Sequence, residues 1–144
     1  MKKLLLLSAL LIFACSSNDS DSSNSNGNSF NPPNWIQGVW LNNLSPTYDI
    51  GYEFRTDDIC AVSGTQATCY KGIIELYEDA PNFQTNVYEE ISNTRYYAVF
   101  SYGFNEITFD FEKISENEIR HIQGSSTSTI LTKQWKNYSY SPLY

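Results

Sequence analysis

An all-β domain is predicted by three features of this 144-residue chain. Short segments rich in Tyr, Phe, Ile, Val and Thr recur from residue 35 onward, apolar and polar residues alternate within them at period two, and turn clusters of Gly, Asn, Asp and Ser separate them. The architecture expected is a small antiparallel meander barrel with one short helix. Closing the meander would remove the exposed strand edges that invite unwanted pairing.

Eight strands are expected, near 36–42, 49–56, 58–63, 85–91, 94–102, 106–112, 118–123 and 127–135. In the fifth, Tyr96, Ala98, Phe100 and Tyr102 share one face, with Arg95, Tyr97, Val99 and Ser101 on the other. Gly103-Phe104-Asn105 reads as a tight hairpin turn. Across it Ile107, Phe109 and Phe111 alternate with Glu106, Thr108, Asp110 and Glu112, apolar inward and acidic outward. One segment breaks the pattern. Ile73, Leu76, Tyr77 and Ala80 fall at helical spacing opposite Glu75, Glu78 and Asp79, and Pro81 stops the run, so a helix is expected over 70–79. No internal repeat of solenoid period is visible.

The chain begins with Lys2, Lys3, an apolar run from Leu4 to Phe13, then Ala14 and Cys15. A basic start, an apolar run too short to span a bilayer and a small residue before the cut predict a secretory signal over 1–14. Ile12-Phe13-Ala14-Cys15 resembles a bacterial lipobox. That resemblance implies that Cys15 carries lipid, with acyl chains of the palmitate type, and becomes the mature N-terminus. The membrane is then a partner through the lipid, and three chains at roughly 0.8 kcal/mol per buried CH2 would make attachment effectively permanent. Ser16 in place of an acidic residue points to the outer membrane, on its periplasmic face or at the cell surface. From 15 to 34 the composition is almost wholly Ser, Asn, Asp, Gly and Pro, too polar to offset chain entropy by burial. A disordered tether is expected there, with a mean reach of roughly 25 Å. The barrel domain would then occupy 35–135 and a tail 136–144.

Without Lys2 and Lys3 the chain carries seven basic against sixteen acidic residues, a net charge of about −9. Such a surface repels phosphates, so nucleic acid is excluded as a partner. With Cys15 assigned to lipid, Cys60 and Cys69 remain as an even pair in an oxidising compartment, and a disulfide is expected. Metal binding by these cysteines would need further ligands, and His121 is the one histidine.

Trp35-Ile36-Gln37-Gly38-Val39-Trp40, just after Pro32-Pro33, resembles the Gly-x-Trp motif of the lipocalin and wider calycin group. The resemblance implies a lipocalin-like barrel in which Gly38 permits close chain approach and Trp40 caps the core. A basic residue of the last strand, Lys133 or Lys136, would meet the indole, and a cation held there could add roughly 0.5–2 kcal/mol.

Candidate chemistry is sparse. His121 has no nucleophile in a recognisable elbow beside it. Asp110 and Glu112 have the separation of a glycosidase pair, roughly 5–9.5 Å, but lie on the strand face away from the core and are expected to be solvated charge. Asp57-Asp58 and Glu89-Glu90 are expected to be solvated too, and Asp57-Asp58 lacks the alternating oxygen loop of a calcium site. Tyr138, Tyr140 and Tyr144 could stack on sugar or protein, or simply cover the barrel. Neither a cofactor nor a catalytic role is expected. The function expected is a non-catalytic envelope lipoprotein that binds a small apolar ligand at a barrel mouth. The alternative is a solid-core module that recognises a protein or glycan by its surface, enzyme inhibition included, because Phe109, Phe111, Phe100 and Tyr96 would fill much of the interior.

Overall fold

The structure, a computed structural model, describes residues 23–42, 48–135 and 141–143. The signal segment, Cys15, Lys136 and Tyr138, Tyr140 and Tyr144 lie outside the described residues. Eleven strands and one helix are described: β1 (Ser23–Gly27), β2 (Gly38–Leu41), β3 (Ile50–Phe54), β4 (Ile59–Ser63), β5 (Gln66–Cys69), α1 (Tyr70–Tyr77), β6 (Thr85–Ile91), β7 (Arg95–Tyr102), β8 (Asn105–Lys113), β9 (Glu118–Ile122), β10 (Ser128–Gln134) and β11 (Ser141–Leu143). They form one curled, barrel-like sheet in the order β1-β6-β7-β8-β9-β10-β2-β3-β4-β5-β11. Neighbours pair antiparallel except β11, which lies parallel to β5. Among the described residues no helix is long and apolar enough to cross a membrane.

The β7–β8 hairpin sets the register for the rest. Its two-residue turn places Tyr102 opposite Asn105, so that Tyr96 meets Phe111 and Ala98 meets Phe109. Because alternation is strict, Tyr96, Ala98, Phe100, Phe109 and Phe111 all face inward and are fully buried. The meander continues through β9 and β10, and β10 then pairs with β2, which puts Lys133 opposite Trp40. This pairing brings the late strands back to the start of the meander.

Among the described residues, hydrogen bonds do not join β5 to β6. Side chains bridge that interval. α1 follows β5 directly and turns Ile74 into the core with Tyr70 and Ile73 beside it. Phe30 sits between them and the far wall, edge-on to Tyr70, Phe100 and Phe109 with ring centroids 6.4, 5.9 and 5.9 Å away. The strands therefore curl around a packed core and leave outer edges that β1 and β11 cover.

Three strands differ from the sequence expectation. β1 is Ser-Asn-Ser-Asn-Gly, with every residue exposed, and nothing in its composition favours a strand. It forms because the edge of β6 offers a ladder from Ser23↔Ile91 to Gly27↔Val87. The expected tether over 15–34 is thus corrected for 23–34, which belong to the domain: β1 pairs, and Phe30 is only 2% exposed. β5 is four residues long and is fixed by its hairpin with β4, where Cys60 lies opposite Cys69. β11 shows that the expected tail, 136–144, returns to the sheet at 141–143.

Candidate functional site

The interior is occupied by the chain's own rings. Phe30, Trp40, Phe54, Tyr96, Phe100, Phe109 and Phe111 are each at most 2% exposed. Phe54 packs edge-on against Phe111 at 5.0 Å, and Tyr70 against Phe109 at 5.1 Å, in the edge-to-face geometry that aromatic quadrupoles favour. His121 belongs to this packing. Its ring stacks on Phe111 at 4.6 Å and meets the edge of Tyr52 at 5.0 Å. Burial holds the imidazole below its ordinary pKa, against an opposing pull from Asp110. Gln123 Nε2 lies 3.2 Å from His121 Nδ1 and donates to it in the neutral tautomer. Burial, with Tyr70 nearby, pushes the Tyr52 hydroxyl up to about 12.

One carboxylate is set into this core. Glu89 was expected to be solvated, but it lies on the inward face of β6 between Val87 and Ile91 and is 0% exposed. Oε1 accepts from Tyr96 Oη at 2.5 Å and from the Asn31 amide at 2.8 Å, while Oε2 accepts from Ser25 Oγ at 3.0 Å. Two of those three donors belong to the N-terminal segment. Glu89 therefore fastens residues 25–31 to the sheet, and a buried charge is tolerated because three donors surround it. The same burial, with the Glu89 charge, raises the Tyr96 hydroxyl far above its usual range. Parity alone could have flagged Glu89, since it falls on the apolar face of a strand whose neighbour, Glu90, is exposed.

Asp58 also departs from the solvated expectation. It is 4% exposed, and Oδ1 accepts the Lys71 amide at 2.8 Å, which caps the first turn of α1 from across the chain. Cys69, the N-cap residue itself, makes no side-chain cap bond. Asp57 stays at the surface and pairs with Lys71 Nζ. Cys60 and Cys69 are joined as a disulfide. With Asp58 they bring three ligand-type atoms within 4.8 Å of one another, but both sulfurs are bonded to each other and offer no thiolate in this state.

At the start of β2, Gly38 has φ +119°, and a Cβ there would come within 3.2 Å of Lys133 Cε. The missing side chain leaves room for the lysine stem. Lys133 Nζ lies 5.0 Å from the Trp40 ring and 5.4 Å from the Trp135 ring, within cation–π range of both. Trp40 Nε1 donates to the Ile36 carbonyl at 2.5 Å, so the indole is satisfied at both its polar edge and its face.

The outer face of β6–β9 carries a network of charged and aromatic side chains. Two rungs cross it: Glu90, Tyr97 and Asp110 are in register, as are Arg95, Glu112 and Arg120. Arg95 grips Asp110 through two bonds, 2.9 and 2.8 Å, and lies 5.6 Å over the Tyr97 ring. Arg120 pairs with Glu112 at 2.8 Å, and Tyr88 Oη donates to Glu90 at 2.8 Å. Asp110 and Glu112 are thus each held by a separate arginine, with Asp110 buried against its partner and not solvated as expected. A scan of family models, a search of curated proteins and a search of solved structures each find no match to this chain.

Proposed function

We propose that this is a lipid-anchored envelope protein whose solid all-β domain recognises a glycan or protein through its outer surface, without catalysis. The observation that carries this reading is the filled interior: seven aromatic side chains, one of them delivered by the N-terminal segment, take the volume a carried ligand would need. The outer face of β6–β9 then supplies the recognition chemistry. Tyr88 and Tyr97 offer amphipathic rings, while Arg95, Glu112 and Arg120 offer planar hydrogen-bonding groups half open to solvent.

A second reading, a small apolar ligand at the barrel mouth, is favoured by the half-buried rings of Tyr52, Tyr70 and Tyr102 around the core. Binding of the purified protein to envelope glycans and envelope proteins separates the two. The surface reading expects the double variant Tyr88→Ala/Tyr97→Ala to weaken the captured interaction about thirtyfold or more, because truncating an interface residue that matters costs more than about 1 kcal/mol and two are removed. An unchanged affinity would overturn the assignment of this face.

A further inference from the structure

The two cysteines of the β4–β5 hairpin are not equivalent. Cys60 is 0% exposed, whereas Cys69 is only partly buried and stands at the N-cap of α1. The first turn of a helix carries a partial positive charge, a setting that stabilises a thiolate. A third group completes the arrangement. Asp58, itself buried, directs Oδ2 to within 3.7 Å of Cys60 Sγ while Oδ1 is held by the Lys71 amide.

From this asymmetry we propose that Cys60 and Cys69 form a thiol–disulfide exchange centre, with Cys69 as the accessible sulfur, Cys60 as the resolving sulfur and Asp58 as its proton carrier. The external partner is a dithiol, and the chemistry balances as follows. One thiolate of the dithiol attacks Cys69 Sγ, a new S–S bond forms there, and the Cys60–Cys69 bond breaks with its electron pair on Cys60. Asp58 in its acid form gives that thiolate a proton and is reprotonated from solvent. The second thiolate of the dithiol attacks its own mixed-disulfide sulfur and expels Cys69 as a thiolate at the end of α1. The dithiol loses two electrons and becomes a disulfide, the protein disulfide is reduced, and of the two protons shed by the dithiol one resides on Cys60 and one in solvent. Run backwards, the same steps reduce an external disulfide.

Burial raises the Asp58 carboxyl from its ordinary pKa, which favours the acid form that the step uses, while the Lys71 and Ile59 amides pull it back. The charged groups facing it are Arg55 and Asp57 on the β3–β4 turn and Lys71 on α1, with Glu75 behind Lys71. Arg55 and the Lys71 amide favour the charged form, and Asp57 opposes it.

The test uses the oxidised full-length protein. Treatment with glutathione, acid quenching, blocking with N-ethylmaleimide and peptide mapping locate the mixed disulfide. An adduct at Cys69 in at least tenfold excess over Cys60 is expected; equal adducts, an excess at Cys60 or no adduct at either would overturn the proposal. The Asp58→Asn variant keeps an oxygen for the Lys71 amide. It is expected to slow reduction by dithiothreitol about tenfold near pH 7 and to flatten the pH profile, whereas Glu106→Gln, on β8 and not among the groups acting on Asp58, leaves both unchanged. A wild-type pH profile in Asp58→Asn would remove Asp58 from the mechanism, and the glutathione mapping decides the roles of the two sulfurs even if that variant does not fold.

Discussion

Phe30→Ala is the substitution that separates a domain beginning at residue 23 from one beginning at 35. Phe30 is 2% exposed and meets three rings, Tyr70, Phe100 and Phe109, at 5.9–6.4 Å. Removing a fully buried phenyl group loses its transfer free energy and leaves a cavity, together about 3–5 kcal/mol. Partial collapse is restricted here, because Phe100 and Phe109 are held by ladder hydrogen bonds on opposite strands of one hairpin. The upper half of that range therefore applies, about 4 kcal/mol. With a urea slope of about 1.5–2 kcal/mol/M for a domain of this size, the midpoint should fall by about 2–2.7 M. Tryptophan fluorescence and far-ultraviolet circular dichroism should report the same midpoint if unfolding is two-state. A residue in a solvated tether would change stability by less than about 0.5 kcal/mol, and a shift that small would refute the placement of Phe30 in the core.

Glu89→Gln turns one of the two acceptor atoms into a donor facing Ser25, Tyr96 or the Asn31 amide, and should cost about 1.5–3 kcal/mol, with faster amide exchange over 23–31. Glu90→Gln next to it is exposed and should change stability by less than about 0.5 kcal/mol in the same urea titration. Gly51→Ala places a Cβ 1.9 Å from the Trp40 carbonyl oxygen and should cost more than about 3 kcal/mol or prevent folding, while Gly27→Ala, with open space around it, should be near neutral by thermal melting. His121 has a folded pKa below its unfolded value, so the unfolded chain binds the extra proton in the window between them. Stability is then fullest above about pH 6.5 and falls as pH drops from there toward the folded pKa; His121→Phe should flatten this slope in melts from pH 7.5 to 5.

The strands with strong alternation were legible because one face of each is buried: 94–102 and 106–112 correspond closely to β7 and β8, and 85–91 to β6. The helix was legible from the spacing of Ile73, Leu76 and Tyr77, although it ends at Tyr77. β1 and β11 were not, because each is a short edge strand specified by its partner and carries no apolar period of its own. Phe30 was a visible signal that composition concealed, a lone aromatic in a polar run directly before Asn31-Pro32-Pro33. Asp58 and Glu89 looked like solvated charge because each sits beside an acidic neighbour. Strand parity buries Glu89, and the start of α1 supplies the amide that holds Asp58. The Cys60–Cys69 bond followed from cysteine parity, and its ten-residue segment should contribute about 2.6 kcal/mol by chain entropy. Its unequal burial could be seen only once the hairpin and α1 were in place.

Native mass spectrometry of the purified protein, before and after exposure to a lipid extract, bears most directly on the claim that the domain has no room for a carried ligand. The filled core predicts a domain that takes up no stoichiometric adduct at any extract concentration. A single apolar molecule held one-to-one through desalting, and displaced by none of the outer-face substitutions, would contradict it.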